Sequence, residues 1–73
     1  MPGSDTHLTA RECEILELVA EDLTNAGIAA RLGLKESTVG HHLEQVYRKL
    51  GVGSRAGAVA WYLRNGRGQG GDE

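Results

Sequence analysis

The sequence predicts an all-α fold: a compact four-helix domain with a central helix-turn-helix. Three observations carry this expectation. Apolar residues recur at three- and four-residue spacing in four separate stretches, a helical rather than an alternating pattern. Hydroxyl side chains precede three of the stretches (Thr9, Thr24, Ser54), and glycines follow two (Gly33, Gly51). Hydrophobic residues make up 40% of the 73 residues but aromatics only 4%, with no Phe, so the core is aliphatic and suits packed helices better than sheets.

Thr9-Ala10-Arg11-Glu12 reads as a capping box. The Thr9 hydroxyl accepts from the Glu12 amide and the Glu12 carboxylate reaches back to the Thr9 amide, with Leu8 as hydrophobic staple. Leu16, Val19, Ala20 and Leu23 continue at helical spacing, which predicts a first helix over about residues 10–22. Thr24 caps a second over 25–32, with Ile28, Ala29 and Leu32 on one face and Gly33 as its left-handed terminator. Val39, Leu43, Val46 and Leu50 form the stripe of a third over 36–50, closed by Gly51. Ser54 caps a fourth over 55–64, whose Ala56, Val59, Ala60 and Leu63 are expected to face inward. The domain is expected over 8–65, between loose tails at 1–7 and at the glycine-rich 66–73.

A chain this short supports one domain and leaves little room for an enclosed active site beside a core. The single cysteine, Cys13, excludes an internal disulfide and favours a reducing cytoplasm. No run of 18 apolar residues is present, so no membrane partner is expected. A serine or cysteine triad, metal-ligand spacing and a phosphate-cradling glycine loop are all absent from the sequence, which argues against an enzyme and against a cofactor. Cys13 reads as a small buried hydrophobe.

The formal net charge is −2, but it is unevenly distributed. Residues 1–24 carry Arg11 against Asp5, Glu12, Glu14, Glu17, Glu21 and Asp22, a local charge of −5. Residues 25–55 carry Arg31, Lys35, Arg48, Lys49 and Arg55 against Glu36 and Glu44, a local charge of +3. Phosphate binding follows the local charge more than the total. Gly33-Leu34-Lys35 between the second and third helices has the length of a helix-turn-helix corner, from which the later helix projects into a groove about 12 Å wide.

Leu8-Thr9-Ala10-Arg11-Glu12, Thr24-Asn25, Ile28-Ala29, Glu36-Ser37-Thr38-Val39, His42, Lys49-Leu50-Gly51-Val52 and Arg55 together resemble the LuxR/FixJ/NarL/GerE-type DNA-binding domain, from residue 8 to about 63. The resemblance implies a four-helix output domain of a bacterial transcription regulator, such as a response regulator, that binds inverted-repeat duplex sites as a dimer through its last helix. RNA polymerase is the further partner it implies. Three positions depart from the family pattern. Ala26-Gly27 replaces a basic-acidic pair, Lys35 replaces a capping serine, and Gly40 replaces a lysine that often contacts DNA in relatives.

With Val39 at 0° and about 100° per residue, the apolar stripe of the third helix points one way and Ser37, His41, Glu44, Gln45 and Arg48 the other. Ser37, His41, Glu44 and Gln45 are the expected base readers, Gln45 toward adenine and Glu44 toward cytosine. Thr38, His42 and Lys49 on one flank, Arg48 along the helix, and Thr24 and Asn25 at the start of the second helix are the expected phosphate contacts. His41 and His42 diverge by about 100°, which argues against a shared metal ion. On the fourth helix, Gly57, Ala58 and Trp61 fall opposite the expected core stripe, and a weak homodimer is expected there. The competing reading is a protein-interaction module that lost DNA affinity with Gly40.

Overall fold

The computed structural model describes residues 7–66, so the expected tails lie outside the described residues except for His7 and Gly66. Four helices follow in order: α1 (Ala10–Ala20), α2 (Asn25–Leu32), α3 (Glu36–Leu50) and α4 (Arg55–Trp61), the last widening into a π-helical turn over Tyr62–Gly66. The expected four-helix architecture is present.

The capping box at α1 forms in full. The Glu12 amide donates to Thr9 Oγ1 at 3.0 Å, and the Thr9 amide donates to Glu12 Oε1 at 2.9 Å. At its other end α1 stops at Ala20, two residues earlier than the pattern predicts. Asp22 takes φ +74°, and the Leu23 amide reaches back to the Leu18 carbonyl. This is the left-handed termination usually made by glycine, adopted by a short polar residue that tolerates it. Thr24 and Ser54 cap α2 and α4 through the Gly27 and Gly57 amides. Lys35, at the start of α3, supplies no side-chain cap.

The core has two parts that share α3. Val39 and Leu43 pack with Ile15, Leu18 and Val19 of α1 and Ile28 and Ala29 of α2. Val46 and Leu50 pack with Leu16 and Ala58, flanked by Leu8, Val52, Trp61 and Tyr62. Tyr47 touches both. The apolar stripe of α3 is thus buried along its whole length, and the opposite face is left to the outside.

α4 is rotated relative to the expected orientation, although Val59 packs against the first core cluster as expected. Ala56 and Ala60 are exposed and Leu63 is 67% exposed, whereas Ala58 is fully buried and Trp61 packs on the second core cluster. A Cβ at Gly57 would lie 3.1 Å from Val52 Cβ, so that position faces the α3–α4 loop. Gly57, Ala58 and Trp61 therefore form the inner face of α4 and not an outer contact patch. The cause is area. Trp61 and Tyr62 offer far more apolar surface than the alanines, and Leu8, Leu16 and Leu50 are there to cover it. Cys13, expected as a small buried hydrophobe, is a half-buried free thiol. Burial and the Glu17 and Glu12 carboxylates push its pKa up, away from reactive thiolate character.

Candidate nucleic-acid interface

α3 presents a continuous outer face. Ser37, His41, Glu44 and Arg48 are exposed and Gln45 half-buried, all on the side away from the buried stripe. His41 and His42 sit with ring centroids 6.4 Å apart and planes tilted by 59°. His42 turns toward the flank, where Thr38 is also half-buried. Among the described residues no group of three His, Cys, Asp or Glu side chains is arranged to hold a metal ion.

The two flanks of α3 are built differently. On the flank of Lys49, the ammonium donates to Glu12 Oε1 at 2.8 Å. Glu12 is only 5% exposed, so a buried carboxylate joins the cap of α1 to the last turn of α3. Burial pushes the Glu12 carboxyl up, but the Lys49 hydrogen bond, the Thr9 amide and the Lys49 charge outweigh it and hold the group below the ordinary glutamate range. Lys49, one of the expected phosphate contacts, is thus paired with Glu12 within the fold.

On the other flank the start of α2 meets α3 at Gly40. A Cβ at Gly40 would meet only Asn25 Nδ2, at 4.0 Å. The side-chain oxygen of Asn25 accepts from Arg55 Nη1 at 2.9 Å, and Arg55 Nη2 donates to the Leu23 carbonyl. The expected phosphate residues therefore divide, with Thr24 and Asn25 on one side of α3 and Thr38, His42 and Lys49 on the other. Arg55 was not among the expected site residues. Its position at the start of a helix, where the dipole disfavours a cation, was the available signal that it has a specific partner.

Exposed charge differs between the two regions: Glu14, Glu17, Glu21 and Asp22 stand on α1 and its end, while on α2, the corner and α3 the exposed Arg31, Lys35 and Arg48 outnumber Glu36 and Glu44. Arg11 pairs with Glu14 at 3.3 Å on the surface, a contact worth little to stability.

Comparison with known proteins places this architecture. The family model for bacterial regulatory proteins of the luxR family (GerE) matches residues 6–62. The chain belongs to the LuxR family. This LuxR-family domain is 44% identical over 59 residues to the spore germination protein GerE of Bacillus subtilis (strain 168), covering 81% of this chain and 80% of that protein. It is 52% identical over 56 residues to the probable transcriptional regulatory protein SgaR of Hyphomicrobium methylovorum, covering 77% of this chain and 26% of SgaR. Over 54 residues it is 44% identical to the nitrate/nitrite response regulator protein NarL of Escherichia coli (strain K12), covering 74% of this chain and 25% of NarL. The LuxR-family chain thus spans about a quarter of SgaR and NarL but four-fifths of GerE. It is a helix-turn-helix DNA-binding domain of a family of transcription regulators, not of enzymes. Among the described residues no helix is long and apolar enough to cross a membrane.

Proposed function

We propose that this LuxR-family domain serves a bacterial transcription regulator by binding duplex DNA with α3 in the major groove. The observation that carries the reading is the division of α3 into a wholly buried stripe and an outer face of hydrogen-bonding side chains. Ser37, His41, Glu44 and Gln45 stand where base edges would lie, Gln45 suited to adenine and Glu44 to the cytosine amino group. Arg48, exposed and in no ion pair among the described residues, is the strongest phosphate contact. Thr24 and Asn25 meet the backbone on one side, Thr38 and His42 on the other. Lys49 acts one step back, through Glu12.

Pairing of two domains on an inverted repeat fits the outer face of α4. There Ala56, Ala60 and Leu63 border an open groove also lined by Val19, Asp22, Arg55 and Val59. Small residues beside one exposed leucine allow close backbone approach. RNA polymerase is the further partner this reading implies, within the cytoplasm.

Selection of bound sequences from a random duplex pool, followed by a salt titration, tests the reading. An enriched inverted repeat is expected, with affinity falling steeply as salt rises because cations are displaced from phosphates. Absence of enrichment with salt-independent behaviour would favour a protein-interaction module instead.

A further inference from the structure

We propose that Arg55 is a positioning residue for DNA binding, acting through the side-chain amide of Asn25. The inference rests on the reading that α3 enters the groove with the start of α2 beside the DNA backbone. Only the oxygen end of an asparagine amide can accept from a guanidinium. The Arg55 Nη1–Asn25 Oδ1 bond of 2.9 Å therefore fixes which way the amide faces. Arg55 is itself held in place by its second bond, to the Leu23 carbonyl, and both side chains are half-buried.

The consequence lies at the other end of the amide. Nδ2 is turned toward Gly40, 4.0 Å from where a Cβ would stand, and among the described residues no acceptor takes its hydrogens. Gly40 leaves that donor uncovered at the junction of α2 and α3. The NH2 group is thus a pre-oriented donor on the flank of the recognition helix, suited to a phosphate oxygen. An unpinned amide would offer its oxygen to the phosphate half the time, and that orientation is repulsive. Arg55 removes the alternative without touching DNA.

Arg55→Lys keeps the charge but loses the planar fork that reaches two acceptors at once. Affinity for a mixed-sequence duplex at low salt is measured for the unsubstituted chain, Arg55→Lys, Asn25→Ala and the double variant, each checked as folded at the assay temperature. A mixed-sequence duplex suffices because phosphate contacts do not depend on sequence. Asn25→Ala is expected to weaken binding about fivefold, the scale of one hydrogen bond, and Arg55→Lys about twofold, the effect of freeing the second amide orientation. The double variant is expected to bind no more weakly than Asn25→Ala alone. Additive losses would mean that Arg55 touches DNA or acts through the fold at large, and would overturn the proposal, as would an unaffected Arg55→Lys.

Should Arg55→Lys fail to fold, the NMR signals of the Asn25 side-chain amide in the unsubstituted chain decide the matter. They are expected to shift on adding duplex, and unshifted signals overturn the proposal. Arg48→Ala separates the two levels of inference. If it weakens binding while Asn25→Ala does not, the positioning role is wrong and the groove reading stands. If neither weakens binding, the groove reading falls too.

Discussion

Replacing Lys49 with Met keeps most of the side-chain stem and removes its charge, leaving the Glu12 carboxylate without its cation. The pair is close, at 2.8 Å, and its side chains are 32% and 7% exposed. At an effective dielectric of about 20 the gross attraction at this separation is roughly 6 kcal/mol. Desolvation cancels much of it. Breaking a fully buried pair from one side costs about 3–5 kcal/mol, and the partial exposure of Lys49 lowers that to about 2 kcal/mol. For a domain of this size the melting temperature should fall by about 8–16 °C near neutral pH.

The pH dependence supplies the sharper test. Against the upward push of burial, Lys49 and Thr9 hold the Glu12 carboxyl below the ordinary glutamate range. The folded state therefore binds this proton less readily than the unfolded chain does. The stabilisation is fully present above the unfolded value and is lost as pH falls through the lower folded one. In Lys49→Met burial meets less opposition and the carboxyl moves upward, so the gap between the two proteins should narrow on acidification. Thermal unfolding followed by circular dichroism at neutral pH and near pH 3 gives both readouts. A melting temperature within about 2 °C of the unsubstituted protein, on the scale of a surface contact, would refute the reasoning. So would a gap that is the same at both pH values.

Five further substitutions have expected outcomes. Gly40→Ala should raise stability by about 0.5–1 kcal/mol, visible in thermal melts, because a Cβ there meets nothing closer than Asn25 Nδ2 at 4.0 Å; Gly40→Lys should in addition tighten DNA binding in fluorescence anisotropy. Arg48→Ala should weaken binding to all duplexes alike and reduce the slope of log affinity against log salt by about 1, with the fold unchanged. Leu63→Asp should abolish self-association in sedimentation without lowering the melting temperature, whereas Ala58→Leu should destabilise by about 1–3 kcal/mol, because position 58 is fully buried.

The parts of the fold that were legible in the sequence are those decided locally. The capping box, the two glycine terminators and the α3 stripe each depend on residues within a few positions of one another, and each is present. The outer face of α3, with Ser37, His41, Glu44, Gln45 and Arg48, follows from the same periodicity. The orientation of α4 was not legible. Its alanines satisfy a helical stripe as well as Ala58, Trp61 and Tyr62 do, and only the apolar surface of distant Leu8, Leu16 and Leu50 decides between them. Nor was the end of α1, since Asp22 adopts the left-handed conformation without being a glycine. Lys49 reads as a cation available to DNA, and Arg55 only as part of the basic local charge. Their partners, Glu12 and Asn25, lie 37 and 30 residues away, a separation no helical period can register.

The placement of α3 between the two halves of the core bears on how such a domain can change. Val39 and Leu43 close one half, Val46 and Leu50 the other, and Tyr47 bridges them. Neither half can loosen without the helix, so folding of the whole unit is tied to the element proposed to enter the groove. Its outward positions carry no share of that burden. Substitutions at Ser37, His41, Glu44 and Gln45 can accumulate without eroding the core, and on the proposed reading they would let a lineage of such domains acquire new target sequences on an unaltered scaffold.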